Sequence, residues 1–330
     1  PSKISFCSAI GAIVNSQEES APQRAALILE KMELLCTNEN AVQMRPPGST
    51  YHAIIRACAK DPSKDSALLA EEILERIRDL NHLDGINIST YNSVISLWSK
   101  IGGYEACLKA EKWFSILKQK YQKENISSLK PNVLTFNTLI NACAKSTMSG
   151  YGRIAESYMC AMAELDLRPD VVTYSSVINA YVKDSESKGS LQRAETLFAT
   201  MESLYHQGDT KMRPTVVTYT TLIHALARCN STEAVAKAEK LLDVVERTAG
   251  EDQDQFRVQS AIPNAIYNAV IGAWCRENEP DRAGELLVRM LENLHSKKLN
   301  AEPSTIMFNT VIGAYGRSKK AGVAVKVKGL

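Results

Sequence analysis

Eight copies of one pattern recur along this 330-residue chain, and a repeat of such a period must be read before any other feature. Phe6, Tyr51, Tyr91, Phe136, Tyr174, Tyr219, Tyr267 and Phe308 form an aromatic column, spaced by 45, 40, 45, 38, 45, 48 and 41 residues. Four residues after each stands an isoleucine: Ile10, Ile55, Ile95, Ile140, Ile178, Ile223, Ile271 and Ile312. Two further on, the column is alanine everywhere except Leu97. Within a copy, apolar residues fall at the aromatic and three, four and seven places on, as in Phe136, Leu139, Ile140 and Cys143, which is one face of a helix. Thr135, Thr173 and Thr218 stand just before the aromatic, near the expected helix start, after a proline that ends the preceding helix. A second helix carries the small column Ala25, Ala70, Ala110, Ala155, Ala194, Ala238 and Ala283, followed by pairs such as Leu197 and Phe198 or Leu286 and Leu287. Alanine lets two helices approach, and the larger residues fill the seam.

A helical hairpin of this size cannot bury its apolar face alone, so neighbours must cover it. The expected fold is all-α: an α-solenoid, a right-handed superhelix of about eight helix–turn–helix units forming one repeat array over residues 1–330. The units run over about residues 3–47, 48–87, 88–132, 133–170, 171–215, 216–264, 265–304 and 305–330, the last partial. Length differences are expected in the connections Asp61–Ser66, Ser146–Tyr151, Tyr205–Lys211 and Gly250–Ser260, the last read as a solvated loop with Glu251, Asp252 and Asp254. Pro1-Ser2 matches the end of a unit, so the chain is expected to be part of a longer solenoid.

Composition restricts the function classes. With 39 Lys and Arg against 37 Asp and Glu the net charge is +2, which argues against a uniformly basic nucleic-acid binder but not against a local stripe. The 45% of hydrophobic residues excludes a disordered chain, and no apolar run approaches the roughly 20 residues needed to span a bilayer, so no membrane partner is expected. The eight cysteines show no C-x-x-C spacing, and Cys58 and Cys143 stand in a core column that elsewhere holds Trp98, Tyr181, Leu226 or Trp274. They read as packing residues in a reducing compartment. None of the histidines, His52, His82, His206, His224 and His295, makes an H-x-E, and no phosphate-binding or nucleophile motif is present. No catalysis, cofactor or metal ligand is expected.

A polar stripe lies beside the apolar face. After the aromatic come Cys7, His52, Asn92, Asn137, Ser175, Thr220, Asn268 and Asn309. Eight residues further stand Asn15 and then Lys60, Lys100, Lys145, Lys183, Arg228, Arg276 and Arg317. A cation near a helix C-terminus can simply complement the helix dipole. Its recurrence in register beside small polar residues fits a phosphate backbone instead. From the residues alone, a nucleic acid and a protein or peptide ligand both stay open.

The motif P-[DN]-x-x-[TS]-[YF]-N-x-[LV]-I-x-A, seen from Pro131 to Ala142 and, with Ser175 for the asparagine, from Pro169 to Ala180, resembles the pentatricopeptide repeat proteins of pure-repeat type. Most units here are longer than the family's usual ones. The resemblance implies sequence-selective binding of single-stranded RNA, one base per repeat, in processing, stability, splicing or translation of mitochondrial or plastid transcripts. The alternatives are a protein-binding helical scaffold, or the RNA-binding part of an enzyme whose catalytic domain lies outside this segment. By resemblance, the reading positions are the residue after the aromatic and the one after the repeat-ending proline: Asn92 with Asn132, Asn137 with Asp170, Ser175 with Thr215, Thr220 with Asn264, Asn268 with Ser304, and the unpartnered Asn309. Cys7 with Pro47 and His52 with Asn87 are non-standard pairs. Leu134, Val172 and Val217 would sandwich bases, with core packing as their other role. In the family's 5′-to-3′ register the core preference reads Y-U-R-A-C.

Overall fold

A computed structural model describes residues 2–16, 18, 20–38, 44–79, 87–124, 126–146, 148–184, 187–251, 264–295 and 303–318. The residues described are helical, with no strand among them. They divide into two compact units, Pro1–Asp184 and Ser185–Leu330.

The first unit contains α1 (Lys3–Asn15), α2 (Ala21–Asn38), α3 (Gly48–Cys58), α4 (Lys64–Asp79), α5 (Ile88–Ile101), α6 (Tyr104–Glu124), α7 (Val133–Lys145), α8 (Tyr151–Ala163) and α9 (Val171–Lys183). The odd-numbered helices, the first of each hairpin, pack in series from α1 to α9. Each even-numbered helix packs on its own partner and on the first helix that follows, so every seam is shared by two hairpins. The second unit contains α10 (Ser190–His206), α11 (Val216–Arg228), α12 (Thr232–Glu251), α13 (Asn264–Arg276), α14 (Pro280–His295) and α15 (Thr305–Arg317). There α11, α13 and α15 pack in series, with α12 between α11 and α13 and α14 between α13 and α15. This is the all-α repeat solenoid that the columns call for.

The columns are the core. All seven alanines of the second-helix column are fully buried, and so are the isoleucines from Ile10 to Ile271. Ile312 is the exception: it is exposed, because α15 has described helices only on its α13/α14 side, where it buries Val311. Tyr51, Tyr91, Phe136, Tyr219 and Tyr267 are buried, whereas Phe6, Tyr174 and Phe308 are half-buried. A buried phenol needs a hydrogen-bond partner. Tyr51, Tyr219 and Tyr267 donate to Glu33, Glu202 and Glu246, each on the preceding second helix, at 2.7, 3.3 and 2.5 Å. Each glutamate stands eight residues after its alanine column. Before the phenylalanines Phe136 and Phe308 that position is Lys118 and Leu291, where no hydroxyl has to be met.

The helix starts refine the sequence reading. The N-cap residue is the one after the proline, three places before the threonine: Asn132 for α7, Asp170 for α9 and Thr215 for α11. Thr135 and Thr173 occupy the third helical position and return a hydroxyl to the cap backbone, completing a capping box. The connections also differ in detail. Lys64 already begins α4, and α12 runs through Gly250 to Glu251. Asp252, Asp254 and the rest of that expected loop lie outside the described residues, as do His82 and residues 319–330 of the last unit.

Candidate nucleic-acid interface

Two of the proposed reading pairs meet where one hairpin ends and the next begins. In the first unit, the residue after the aromatic lies against the start of the following first helix in four successive hairpins. Thr50 Oγ1 donates to Cys7 Sγ at 3.6 Å, and His52 Nδ1 lies 3.1 Å from Thr90 Oγ1. Asn92 Nδ2 donates to Asn132 Oδ1 at 3.4 Å, and Asn137 Nδ2 donates to Asp170 Oδ1 at 3.1 Å. So Asn92 and Asn132 are brought together, as are Asn137 and Asp170. Burial, followed by the nearby Arg56 charge, lowers the His52 pKa and favours its neutral form.

The second position also has a structural duty. Oδ1 of Asn132 accepts from the Thr135 backbone and hydroxyl, both at 3.0 Å, and Oδ1 of Asp170 does the same for Thr173 at 2.8 and 2.9 Å. Each cap thereby uses one oxygen on its own helix. The Asp170 Oδ2 and the Asn132 Nδ2 make no hydrogen bond among the described residues, which leaves one acceptor and one donor for a ligand. Thr220 donates its hydroxyl to the Val216 carbonyl at 2.6 Å, and Asn268, Ser304 and Asn309 lie at or near the surface. Ser175 belongs to the first unit and Thr215 to the second. Asn264 opens α13 only three residues before Tyr267, one place later than the caps Asn132, Asp170 and Thr215, so its register is displaced. His224 is half-buried, and its Nε2 has no partner among the described residues.

Leu134, Val172 and Val217 are not core residues: they are 61%, 52% and 69% exposed. Their column extends to Ile4 and Ile306, at 77% and 74%, which the sequence reading did not single out. Large apolar side chains left in water at one repeated position, beside polar groups with spare hydrogen-bonding capacity, form a surface suited to flat apolar faces.

Charge is sorted by helix, a second signal the sequence reading passed over. The eight first helices α1, α3, α5, α7, α9, α11, α13 and α15 hold eight cations, one apiece, and no carboxylate. The rest of the chain therefore carries 31 cations and 37 carboxylates, a net −6 beneath an overall +2. Cations on the second helices are matched to carboxylates of neighbouring second helices, for example Lys64 to Glu105, Lys109 to Glu71, Lys237 to Glu195 and Arg289 to Asp243, at 3.1, 2.8, 3.3 and 2.8 Å. None of Lys60, Lys100, Lys145, Lys183, Arg228, Arg276 and Arg317 forms an ion pair with a carboxylate among the described residues. Two of them do serve a neighbouring helix end. Lys100 Nζ donates to the Ala59 carbonyl that closes α3, at 2.9 Å, and Arg276 Nη2 to the Ala227 carbonyl in the last turn of α11, at 2.6 Å. Dipole complementation is thus real at these two, and it still leaves donors on both side chains.

Comparison with known proteins agrees with this anatomy. The model described as the PPR repeat family matches residues 131–183, and the one described as PPR repeat matches residues 172–205, 217–243 and 265–293. No curated protein matches the sequence. Among solved structures, the crystal structure of the pentatricopeptide repeat protein PPR10 from maize is similar over 98% of this chain and 43% of its own, with 19% identity and a TM-score of 0.52. A structure of PPR10 in complex with an 18-nt psaJ RNA element is matched over 100% of this chain and 55% of that one, at 14% identity and a TM-score of 0.35. The chain spans less than two thirds of the length of either.

Proposed function

Because the chain belongs to the pentatricopeptide repeat family, we propose that its first-helix surface binds single-stranded RNA and that successive hairpins read successive bases. The observation that carries this reading is the sorting of charge. Eight cations sit on helices that hold no carboxylate, and the same set of helices carries the exposed apolar column and the polar residues that follow each aromatic. A single strand offers what these three rows complement: phosphates for the cations, base faces for the apolar column, and Watson–Crick edges for the pairs. A duplex would keep its base faces stacked away from that column.

In chain order the pairs give a pyrimidine at Asn92/Asn132, U at Asn137/Asp170, a purine at Ser175/Thr215, A at Thr220/Asn264 and C at Asn268/Ser304, hence Y-U-R-A-C. The aspartate oxygen accepts the imino hydrogen of U, and the long Asn137 leaves no room for a purine. Family resemblance extends the proposal to organellar transcripts in mitochondrion or plastid, where the segment would act by binding, in processing, stability, splicing or translation, without chemistry of its own.

The apolar column gives a test separate from charge. Replacing Leu134, Val172 and Val217 with Ala should weaken single-stranded RNA binding roughly tenfold, at about 0.5 kcal/mol per partly buried side chain. Thermal stability should hardly move, because exposed substitutions stay within about 0.5 kcal/mol. Anisotropy titrations beside melting curves read both. Unchanged affinity would remove base stacking from the account.

A further inference from the structure

Inside the first unit, α6 and α7 of adjoining hairpins bring two thiols against one carboxylate. Cys107 and Cys143 are only 1% and 2% exposed, and their sulfurs lie 3.9 Å apart. Glu111 follows Cys107 by one helical turn, and one oxygen from it and the two sulfurs all lie within 4.8 Å of one another. That residue's Oε1 is buried and has no hydrogen-bond partner among the described residues, while the Tyr158 hydroxyl on α8 bonds the same carboxyl group. A buried acceptor left unmet is costly. Burial raises the Glu111 pKa, and the bond to Cys107 followed by burial raises that of Cys143.

The spacing excludes a closed disulfide and is compatible with a shared ion. A disulfide needs its sulfurs at about 2.05 Å. Two thiolates each about 2.3 Å from a tetrahedral ion stand about 3.8 Å apart. Simple packing would account for two small apolar thiols but not for a carboxyl group beside them that keeps one buried oxygen without a donor.

We propose that Cys107 Sγ, Cys143 Sγ and a carboxylate oxygen of Glu111 form a binding site for one divalent ion of the zinc type, joining the third hairpin to the fourth. Tyr158 orients the carboxylate from outside the ligand set, as partners of metal-bound side chains commonly do. Each thiol releases one proton to solvent as its sulfur–metal bond forms, and no electron is transferred, so affinity rises with pH. The fourth position goes to water or a further oxygen donor. Burial closes the site to a substrate, so its role is to clamp α6 against α7.

The test uses the full chain, stripped of metal and kept reduced, and titrated with Co2+ while thiolate-to-metal absorption is followed. One equivalent should produce the band, and Zn2+ should displace it. Cys107→Ser and Cys143→Ser should each abolish it, and Glu111→Gln, which keeps the side chain's shape and both thiols, should weaken binding at least tenfold. Circular dichroism confirms that each variant is folded. No band with the wild-type chain would overturn the proposal. So would a band that survives in the folded Cys107→Ser/Cys143→Ser double variant, because the ion would then sit at other cysteines. Closure of a Cys107–Cys143 disulfide on oxidation, with no uptake of Co2+ by the reduced chain, would overturn it too.

Discussion

Replacing Lys60, Lys145 and Lys183 with Ala is expected to flatten the salt dependence of RNA binding and to weaken it for every sequence alike. These three cations have no carboxylate partner among the described residues, so their fields are not already compensated. Each phosphate contact on a single strand contributes about 0.7 to the slope of log affinity against log salt. Losing three lowers that slope by about 2. Between 50 and 200 mM salt the wild-type chain should therefore lose about 20-fold more affinity than the variant. Lys64, Lys109 and Lys112 provide the control, because each faces a glutamate of a neighbouring second helix at 3.1, 2.8 or 3.3 Å. Replacing those three should leave the slope unchanged. Equal slopes for the wild type and the first variant would show that these three cations do not contact phosphate.

The largest expected loss of stability follows Trp113→Ala. Trp113 is fully buried on α6, 6.4 Å from the Tyr91 ring, and its indole nitrogen donates to the buried Glu71 of α4. Lys109 holds the same carboxylate at 2.8 Å. Truncation removes a fully buried indole from that seam, at about 3–5 kcal/mol for a buried tryptophan. It also withdraws one of two donors from a buried charge, which adds to the cost. Because hairpins contact only their neighbours, the damage should stay near α4, α5 and α6. Hydrogen exchange should accelerate there and change little in α13 and α14. Equal acceleration in both places would contradict a stack of nearest-neighbour hairpins.

The hairpins were legible because their signal is redundant: alanine, isoleucine and aromatic columns each repeat, and each marks the same seam. The exposed column was legible too, since Leu134, Val172 and Val217 stand two places before an aromatic that faces inward, and a helix cannot bury both directions. Ile4 and Ile306 obey the same geometry. Thr135 and Thr173 were legible as helix-start residues but not as third-position rather than cap residues, because both places of a capping box favour small oxygen-bearing side chains. Charge sorting was in the sequence but hidden by the overall +2, which averages a basic set of first helices against an acidic remainder. The Cys107–Glu111–Cys143 cluster could not be read, because no sequence spacing relates side chains from two hairpins until their packing is known. For the same reason the second duty of Lys100 and Arg276, closing a neighbouring helix, appears only in three dimensions.

The central claim, that a hairpin reads a base through the residue after its aromatic together with the next helix cap, is tested most directly by Asn137→Thr. The substitution leaves Asp170 to cap α9 and keeps its Oδ2 as an acceptor for an imino hydrogen, while the shorter threonine makes room for a purine. Competition binding of two RNAs that differ only at the base facing this hairpin, U in one and G in the other, gives the ratio of affinities. The wild-type chain should prefer the U strand, and the variant should prefer the G strand, with a change of about 1–3 kcal/mol in discrimination. If the variant keeps the wild-type ratio, Asn137 does not face a base, and the register of the proposed interface is wrong.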